Sequence, residues 1–392
     1  MTAATATETF QSEQTRAAQL YGTPLFFYSL ATLRAHIARL RQALTGFPVR
    51  LLFATMANDR GEVLRTISGE GVGACVNSVP HLQRALAYGF DAGNIQFTSC
   101  GLPVDDMTYL QALGIPANLD SPSQIESWCS LKDNMVVGAR INAASLTGMK
   151  APPDRIGMDL PSFESARQIA QSLGGRVNGV HVYAGTNFQA AHDLLPTIKA
   201  LFDLVRRYPD LDYLNIGGGI GVDYAHTGEP FDYETFGAEV CALARQVALD
   251  RDRPLTLLFE PGRSLVASSG LFVTRVTDVK MLQGARFVVV DGSVALFPRP
   301  FYHPGSQHRA YVLETPNGNG EAEINISSTE PLISSVVVGR TTFSRDIFGT
   351  YDLPASLKVG AFLAFEDAGA YCESMISRFL GQRDPVCYVA ED

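Results

Sequence analysis

An alternation repeated along residues 50–262 is the feature that most limits the fold. Each unit is a short apolar run that ends in polar residues or glycine, followed by a longer stretch with helical periodicity. Eight parallel strands alternating with helices predict a closed (β/α)8 barrel, with an open doubly wound sheet as the alternative. The apolar runs are Leu51–Ala54, Gly73–Val76, Ile95–Thr98, Ile115–Leu119, Met135–Ile141, Gly179–Tyr183, Tyr213–Ile216 and Leu255–Phe259.

Polar or glycine residues stand at the carboxyl ends of most of these runs. In a barrel such positions converge on one rim, where enzymes of this architecture place their chemistry. The sequence therefore predicts one functional site at that rim. The positions are Met56–Asn58, Asn77–Ser78, Arg140–Asn142, Tyr183–Thr186, Gly217–Gly219 and Glu260–Arg263.

After Ser264 the pattern changes to strands with few helical stretches, which predicts a C-terminal antiparallel β-domain. We divide the chain into an N-terminal tail and strand (residues 1–28) that joins the β-domain, a barrel (29–266) and the β-domain (267–392). Residues 1–21 are expected to be a frayed tail, and Thr315–Gly320 a hairpin loop. The predicted β-domain strands are Leu271–Met281, Arg286–Val290, Arg309–Leu313, Ala322–Ser327, Ser335–Val338 and Phe362–Phe365.

The charge balance bears on the kind of partner. A net charge of -9 without a basic cluster disfavours nucleic acid and anionic membranes, so a small-molecule ligand is expected. No window is apolar enough for a membrane span and the N-terminus lacks a signal peptide, which together predict a cytoplasmic protein. The scattered cysteines include no CxxC pair, so no metal site is predicted.

Two short motifs carry candidate chemistry. Gly217–Gly219 follows an apolar strand and offers backbone N–H groups that could approach a phosphate, although a plain glycine turn is equally compatible. In Glu260-Pro261-Gly262-Arg263 an arginine that could reach a phosphate stands three residues from a carboxylate that could hold a protonated ring nitrogen. The simpler interpretation of this second motif is a surface ion pair.

These motifs belong to a collinear set. On that set the chain resembles the alanine-racemase-fold decarboxylases that depend on pyridoxal 5′-phosphate (PLP), the family of the diaminopimelate, ornithine and carboxynorspermidine decarboxylases. The resemblance begins at Thr23–Tyr28 and extends almost to the C-terminus. The other motifs are Phe53–Asn58, Gly179–Thr186, Leu214–Gly221, Glu260–Val266, Phe287–Asp291 with Arg299-Pro300, Val337–Asp346 and Asp367–Tyr371.

The resemblance implies PLP as the cofactor and a role for each matching residue. Glu260 would pair with the pyridine nitrogen, Arg299 would take a substrate carboxylate, and Asp346 would reach a substrate amine across the interface of a homodimer. The cofactor-binding set would be Tyr183, Thr186, Gly217, Gly218, Gly219, Glu260, Gly262, Arg263 and Tyr371.

Three positions depart from the family pattern. Met56 stands where the family has the lysine that holds the cofactor covalently, and a thioether cannot form an imine. Tyr183 replaces a stacking histidine, and Thr342 replaces an interface cysteine that acts as an acid, for which a hydroxyl is far weaker. Lys150 could enter as a surrogate, although it is more simply a solvated loop charge.

Met56 leaves two interpretations open: a packed residue in a barrel that has lost its chemistry, or a site that binds PLP without a tether. The first function considered is a decarboxylase-like protein acting on an amino acid or amino-acid conjugate, in a specialised biosynthetic pathway. The alternatives are a non-catalytic member that binds a ligand or regulates an active paralogue, and a different reaction in the same pocket. Arg299, Arg340 and Arg345 together would suit an anionic substrate, unless they are ordinary surface charges.

Overall fold

A computed structural model describes residues 3–149, 154–305, 307–313 and 330–391. The chain divides into two compact units. The barrel unit comprises Arg34–Val222 and Glu229–Leu265. The β-unit comprises the remaining described residues, among them the short segment Asp223–Gly228. Lys150, the loop Thr315–Gly320 and the predicted strand Ala322–Ser327 lie outside the described residues.

Eight parallel strands of the barrel unit close on themselves in chain order. The predicted closed barrel is therefore confirmed, and the open sheet is excluded. Parallel strands are covered on both faces, which is why they appear in the sequence as continuous apolar runs. With Leu25–Ser29 counted as β1, the barrel strands are β2 Val49–Ala54, β3 Gly73–Val76, β4 Ile95–Thr98, β5 Ala117–Leu119, β6 Val136–Ile141, β7 Arg176–Val182, β8 Tyr213–Asn215 and β9 Thr256–Phe259.

Helices connect the barrel strands, and several begin at a side-chain cap. Ser78, Ser121, Asp159 and Asp232 each accept a hydrogen bond from the amide three residues later. Such caps satisfy N–H groups that have no partner within the helix. With Ala3–Tyr21 as α1, these helices are α2 Leu30–Ala43, α3 Gly61–Gly69, α4 Val79–Ala87, α5 Val104–Leu113, α6 Pro122–Ser130, α7 Ala143–Thr147, α8 Leu160–Ser172, α9 Ala191–Arg207, α10 Tyr233–Leu249 and α11 Arg263–Val266.

A buried polar layer crosses the barrel interior around Tyr213. The Tyr213 hydroxyl donates to Asn118 Oδ1 at 2.6 Å, and Asn118 Nδ2 donates to Thr98 Oγ1 at 2.9 Å. Gly138 and Gly179 leave the space for the tyrosine ring, because a Cβ at either position would lie within 2.1 Å of its side chain. The layer therefore depends on two glycines in neighbouring strands.

In its described residues, the β-unit is built on an eight-stranded sheet in which β1 pairs with both β10 and β16. Four stacked or tilted rings form much of its core: Phe272, Phe297, Phe348 and Phe365. The remaining elements are β10 Gly270–Leu282, β11 Ala285–Val290, α12 Arg299–Tyr302, β12 Ala310–Leu313, β13 Leu332–Val338, β14 Ile347–Pro354, β15 Phe362–Phe365 and β16 Val386–Ala390.

The prediction of an antiparallel sheet was wrong in part, because the sheet is mixed. β1 runs parallel to β16, and β11 runs parallel to β13. Neither pair is joined by a hairpin, since β1 and β16 come from opposite ends of the chain and a long connection separates β11 from β13. Alternation along one strand specifies which face is buried but not the direction of a distant partner.

The frayed N-terminal tail was also a wrong prediction, because Ala3–Tyr21 forms a helix. Its alanines favour helix formation, and Ala17 and Ala18 are buried against Leu25 and Phe27 of β1. Tertiary burial of this face holds a helix that its propensity alone would leave marginal. Among the described helices, none combines the length and the apolar character that a membrane span requires.

Candidate active site

The glycine loop after β8 is shaped by close backbone contacts. Gly217 and Gly219 have φ values of +66° and +111°. A Cβ on Gly218 would lie 2.3 Å from the Glu260 carbonyl oxygen, so no other residue fits there without a shift. Within the described part of the chain, the amides of Gly218 and Gly219 donate to no other group. The loop thus offers two N–H groups for an anionic ligand.

The loop after β7 brings a hydroxyl, and the turn after β9 brings a guanidinium, to the same place. The Phe188 amide donates to the Gly219 carbonyl at 3.0 Å, which ties the loop after β7 to the glycine loop. Arg263 Nη2 donates to Thr186 Oγ1 at 3.3 Å, and Arg263 is buried. We call Thr186, Gly218, Gly219 and Arg263 the anion site. Its donor set matches a phosphate.

Glu260 follows β9 and is 8% exposed. Its two carboxylate oxygens have separate partners: His181 Nε2 lies 3.1 Å from Oε2, and Asn215 Nδ2 donates to Oε1 at 2.7 Å. Burial acts to raise the Glu260 pKa, but the interaction with His181 and the hydrogen bonds from Asn215 and the Cys75 thiol outweigh it and leave the pKa below its ordinary value. Glu260 is therefore a carboxylate at neutral pH and suits a protonated ring nitrogen.

His181 is buried in β7 and was not predicted as a site residue. Burial lowers its pKa, and Arg140 adds to this effect, while Glu260 acts in the opposite direction. The imidazole is therefore neutral at neutral pH and donates from Nε2 to Glu260. Within the described chain its Nδ1 has no partner. The available signal was a histidine within an apolar parallel strand, where a polar side chain must find a buried partner.

Asn215 and Cys75 were missed for the same reason. Asn215 is fully buried at the end of β8, where it also accepts from the Gly217 amide at 2.9 Å. Cys75 lies in β3, and burial raises the pKa of its thiol, with the charge of Glu260 adding to the effect. The thiol is therefore protonated and donates to Glu260. Together with His181, these residues form the Glu260 network.

Met56 lies in the turn Thr55–Ala57 directly after β2 and is 41% exposed. This turn packs on the Glu260–Arg263 turn, since a Cβ on Gly262 would lie 3.1 Å from Ala54 and 3.2 Å from Ala57. The Ala54 amide also donates to the Pro261 carbonyl at 3.1 Å. Met56 is thus held beside the Glu260 network.

Tyr183 stands two residues after His181, directly after β7. The Arg140 guanidinium lies 5.7 Å from the Tyr183 ring centroid. Tyr183 is half-buried. It begins the loop after β7, which also contributes Thr186 to the anion site.

No described lysine stands in a rim segment of the barrel. Lys132 precedes β6, and Lys199 lies on the exposed surface of α9. In the β-unit, Lys280 and Lys358 are both exposed. Among described residues the rim therefore has no amine for covalent attachment of an aldehyde, and it contains no group of His, Cys, Asp and Glu placed to hold a metal ion.

The predicted substrate residues belong to the β-unit. Arg299 is 3% exposed, and its guanidinium lies 3.4 Å from the Tyr224 ring centroid. Arg345 is exposed with its guanidinium 4.4 Å from the Phe301 centroid, and Thr342 is exposed on the same loop. Tyr371 is half-buried with φ +56°.

Asp346 is turned inward to its own loop. Its Oδ1 accepts from the Val294 amide at 2.8 Å, and its Oδ2 accepts from the amide and the hydroxyl of Thr341. The side chain is 3% exposed. These bonds give Asp346 a role in shaping the loop from Gly339 to Asp346, and its contact with a substrate amine across a homodimer interface stays a prediction.

The closed barrel, the anion site and the buried carboxylate define a class: (β/α)8 proteins built for a phosphate-bearing cofactor with a basic ring nitrogen. Residues 30–267 match the pyridoxal-binding domain of the pyridoxal-dependent decarboxylases. The chain belongs to this family, whose cofactor is pyridoxal 5′-phosphate. The family resemblance and the cofactor predicted from the sequence are confirmed.

Two relatives indicate the extent of the match. The probable chloroplastic diaminopimelate decarboxylase of Oryza sativa subsp. japonica is 31% identical over 390 residues, covering 94% of this chain and 76% of that protein. The diaminopimelate decarboxylase of Methanothermobacter thermautotrophicus is 27% identical over 383 residues, covering 93% and 86%. The similarity therefore extends through both units.

Solved structures share the fold. Diaminopimelate decarboxylase from Helicobacter pylori, complexed with L-lysine, superposes with a TM-score of 0.83 at 23% identity, covering 96% of this chain and 93% of that one. Lysine/ornithine decarboxylase from Vibrio vulnificus, complexed with putrescine, gives 0.79 at 19% identity, covering 97% and 98%. The barrel and the β-unit are the architecture of these decarboxylases.

Proposed function

We propose that this protein is a decarboxylase-like protein that binds PLP without a covalent bond and acts on an amino acid or amino-acid conjugate in a specialised biosynthetic pathway. One combination carries the proposal: an anion site and a charged Glu260 stand beside Met56, which we place at the family's lysine position. A buried carboxylate with three donors is costly to maintain unless its charge is used. Its presence favours retained cofactor binding.

Each part of the barrel end would have a defined task. Arg263, Thr186 and the two free amides would hold the phosphate, and Tyr183 would stack on the ring. Glu260 would keep the ring nitrogen protonated. When bound, PLP supplies an electron sink for cleavage of a carbon–carbon bond. The strength of that sink depends on Glu260, which makes the Glu260 network the chemical centre of the site.

Met56 would pack against the cofactor and exclude water without attaching it. PLP condenses with free amines unaided, so a substrate amine would still be accepted. The loss would be fast exchange of the cofactor between amines and a positioned proton carrier, the latter commonly worth ~10²–10⁴ in rate. We therefore expect slow turnover or a requirement for a reactive substrate.

The β-unit favours an anionic substrate. Within the described chain, the exposed Arg345 forms no ion pair with a carboxylate, and its guanidinium lies on the Phe301 ring. Arginine forks bind carboxylates in pairs of hydrogen bonds. A dicationic substrate would find no complementary acid on the Thr342–Arg345 loop. The substrate would therefore carry an additional carboxylate or another anionic group.

We also propose a homodimer in which Thr342 and Arg345 complete the barrel site of a second copy. Sedimentation at micromolar concentration tests this assembly. A protein that binds PLP and is still a monomer at that concentration would contradict it.

Absorbance spectroscopy with and without added PLP tests the cofactor proposal. We expect reversible binding that dialysis removes and borohydride does not fix to the protein. Met56→Lys should make the cofactor covalent, seen by mass spectrometry after borohydride treatment, because lysine and methionine are unbranched and similar in length. Met56→Gln is the matched control, since it has comparable length without an amine. Borohydride fixation to the unaltered protein would contradict the proposal.

A non-catalytic role is the second candidate, as a ligand-binding protein or a regulatory partner of an active paralogue. It is favoured by the joint presence of Met56 and Thr342 in place of an amine and an acidic thiol. Release of carbon dioxide from a panel of anionic amino acids separates the two candidates. Release by the unaltered protein supports the lyase, whereas PLP binding without release from any of them supports the non-catalytic role.

A further inference from the structure

We propose that His181 is a positioning residue that orients Glu260 toward the cofactor's ring nitrogen, an inference that rests on the proposed binding of PLP. His181 Nε2 lies 3.1 Å from Glu260 Oε2, and Asn215 Nδ2 donates to Oε1 at 2.7 Å. A carboxylate held at both oxygens cannot rotate freely. Each oxygen still keeps lone-pair capacity for a further donor.

The strand register explains why these groups meet. His181 of β7 pairs with Asn215 of β8, and Asn215 pairs with Leu258 of β9. Glu260 stands two residues beyond Leu258 and therefore faces the same side of the sheet. Cys75 of β3 donates to Glu260 from the opposite direction around the barrel, since β2 lies between β9 and β3. Glu260 is thus held from both directions, and His181 supplies one of the hydrogen bonds on the β7 side.

The choice of a histidine has a chemical reason. An arginine or lysine at this position would orient Glu260 but would also neutralise it, which would weaken its attraction for a protonated ring nitrogen. A neutral imidazole donates one hydrogen bond and leaves the negative charge available. His181 is 2% exposed and its Nδ1 has no partner in the described residues, so the side chain is not explained by its own hydrogen-bonding needs. Its bond to Glu260 accounts for its presence.

The first experiment compares PLP with its 1-deaza analogue, in which a carbon replaces the ring nitrogen. The unaltered protein should bind PLP at least about tenfold more tightly than the analogue, because only PLP forms the charge-assisted bond to Glu260. His181→Gln, which keeps a donor at the Nε2 position, should retain this preference. His181→Asn, whose amide is too short to reach Glu260, should lose most of it, as Glu260→Gln should. His36→Asn is the control, because its ring contacts the Leu265 carbonyl and not Glu260.

Retention of the full preference by His181→Asn would overturn the inference. If that variant does not fold, ¹⁵N NMR of imidazoles in the cofactor-free protein replaces it. We expect His181 to be a neutral ring protonated at Nε2 whose shift changes in Glu260→Gln, and an unchanged shift would also overturn the inference. If the unaltered protein binds neither PLP nor its analogue while this shift changes, the proposed function fails and the His181–Glu260 pair stands.

Discussion

Two turns at the same end of the barrel differ sharply in chemistry although they pack on each other. The Glu260–Arg263 turn is buried and hydrogen-bonded to residues of three other strands. The Thr55–Ala57 turn presents Met56, which is 41% exposed. If Met56 stands at the family's lysine position, as we propose, recognition of the cofactor and its covalent attachment would belong to separate elements of this fold. One could then change without dismantling the other.

The largest expected effect is the difference in stability lost when each turn is mutated. Glu260→Ala should lower the free energy of unfolding by about 3 kcal/mol, because it leaves the donors of His181 and Asn215 buried without an acceptor. Met56→Ala should cost less than about 1 kcal/mol, since much of that side chain is already in water. Urea denaturation of both variants measures the difference. Equal losses would show that Met56 is a structural core residue and would remove the contrast.

A second prediction concerns ligand binding at the buried turn. Arg263→Ala should weaken PLP binding by about 10–100-fold, because a charge-assisted bond to the phosphate is worth about 1.5–3 kcal/mol. Arg245→Ala is the matched control: its guanidinium donates to the Gly46 carbonyl, ahead of β2 and so at the opposite end of the barrel. Titration followed by absorbance measures both. Unchanged affinity in Arg263→Ala would place the phosphate elsewhere.

The backbone of the buried turn gives a third prediction. Gly218→Ala should cost about 1–3 kcal/mol of stability and reduce PLP binding, because its Cβ would lie 2.3 Å from the Glu260 carbonyl oxygen. Gly69→Ala is the control, since nothing lies within 4 Å of its added Cβ. That change should be neutral or slightly stabilising in the last turn of α3. Thermal denaturation checks both, and a neutral Gly218→Ala would contradict the packing of this loop.

Sequence reasoning was most successful where local pattern carries the information. The barrel strands were predicted because buried parallel strands leave apolar runs, as in Gly73–Val76. β14 and β16 were missed. β14 contains Gly349 and ends at Pro354, which weaken a strand pattern, and β16 is a short segment whose partner β1 lies at the other end of the chain. Pairings between distant segments leave no local trace.

The site shows the same division. The glycine loop and the Glu260–Arg263 turn belong to motifs, and they could be proposed as binding residues from the sequence. His181, Asn215 and Cys75 stand within strands, where a lone polar residue is usually read as packing. Their role depends on the register of four strands, which the sequence does not state. Asp346 also belongs to a motif, and its carboxylate bonds within its own chain, so its contact with a substrate amine across a homodimer interface stays a prediction.

The smallest expected effect concerns the pH dependence of stability. The Glu260 network should contribute to it, and the Met56 turn should not. Burial lowers the pKa of His181, so on acidification the unfolded chain takes up a proton at this residue before the folded protein does. Stability should therefore fall as the pH drops through about 6.5, the ordinary histidine value. Glu260, with its pKa also lowered, contributes stability that is present above about 4.3 and is lost as the pH falls further through its folded pKa.

Urea denaturation at pH steps from 8 to 5 tests this assignment. His181→Gln should flatten the acid slope near pH 6.5, whereas Met56→Ala should keep the full slope because no titrating group is removed. His226 in the β-unit provides a control of opposite sign. A hydrogen bond to Asp367 raises its pKa, so its contribution is complete below about 6.5 and is lost as the pH rises through the folded value. His226→Gln should therefore change the neutral-to-alkaline side of the profile and leave the acid slope in place. An acid slope that survives His181→Gln would mean that the Glu260 network does not hold a neutral histidine, and the chemical contrast between the two turns would be smaller than their geometry indicates.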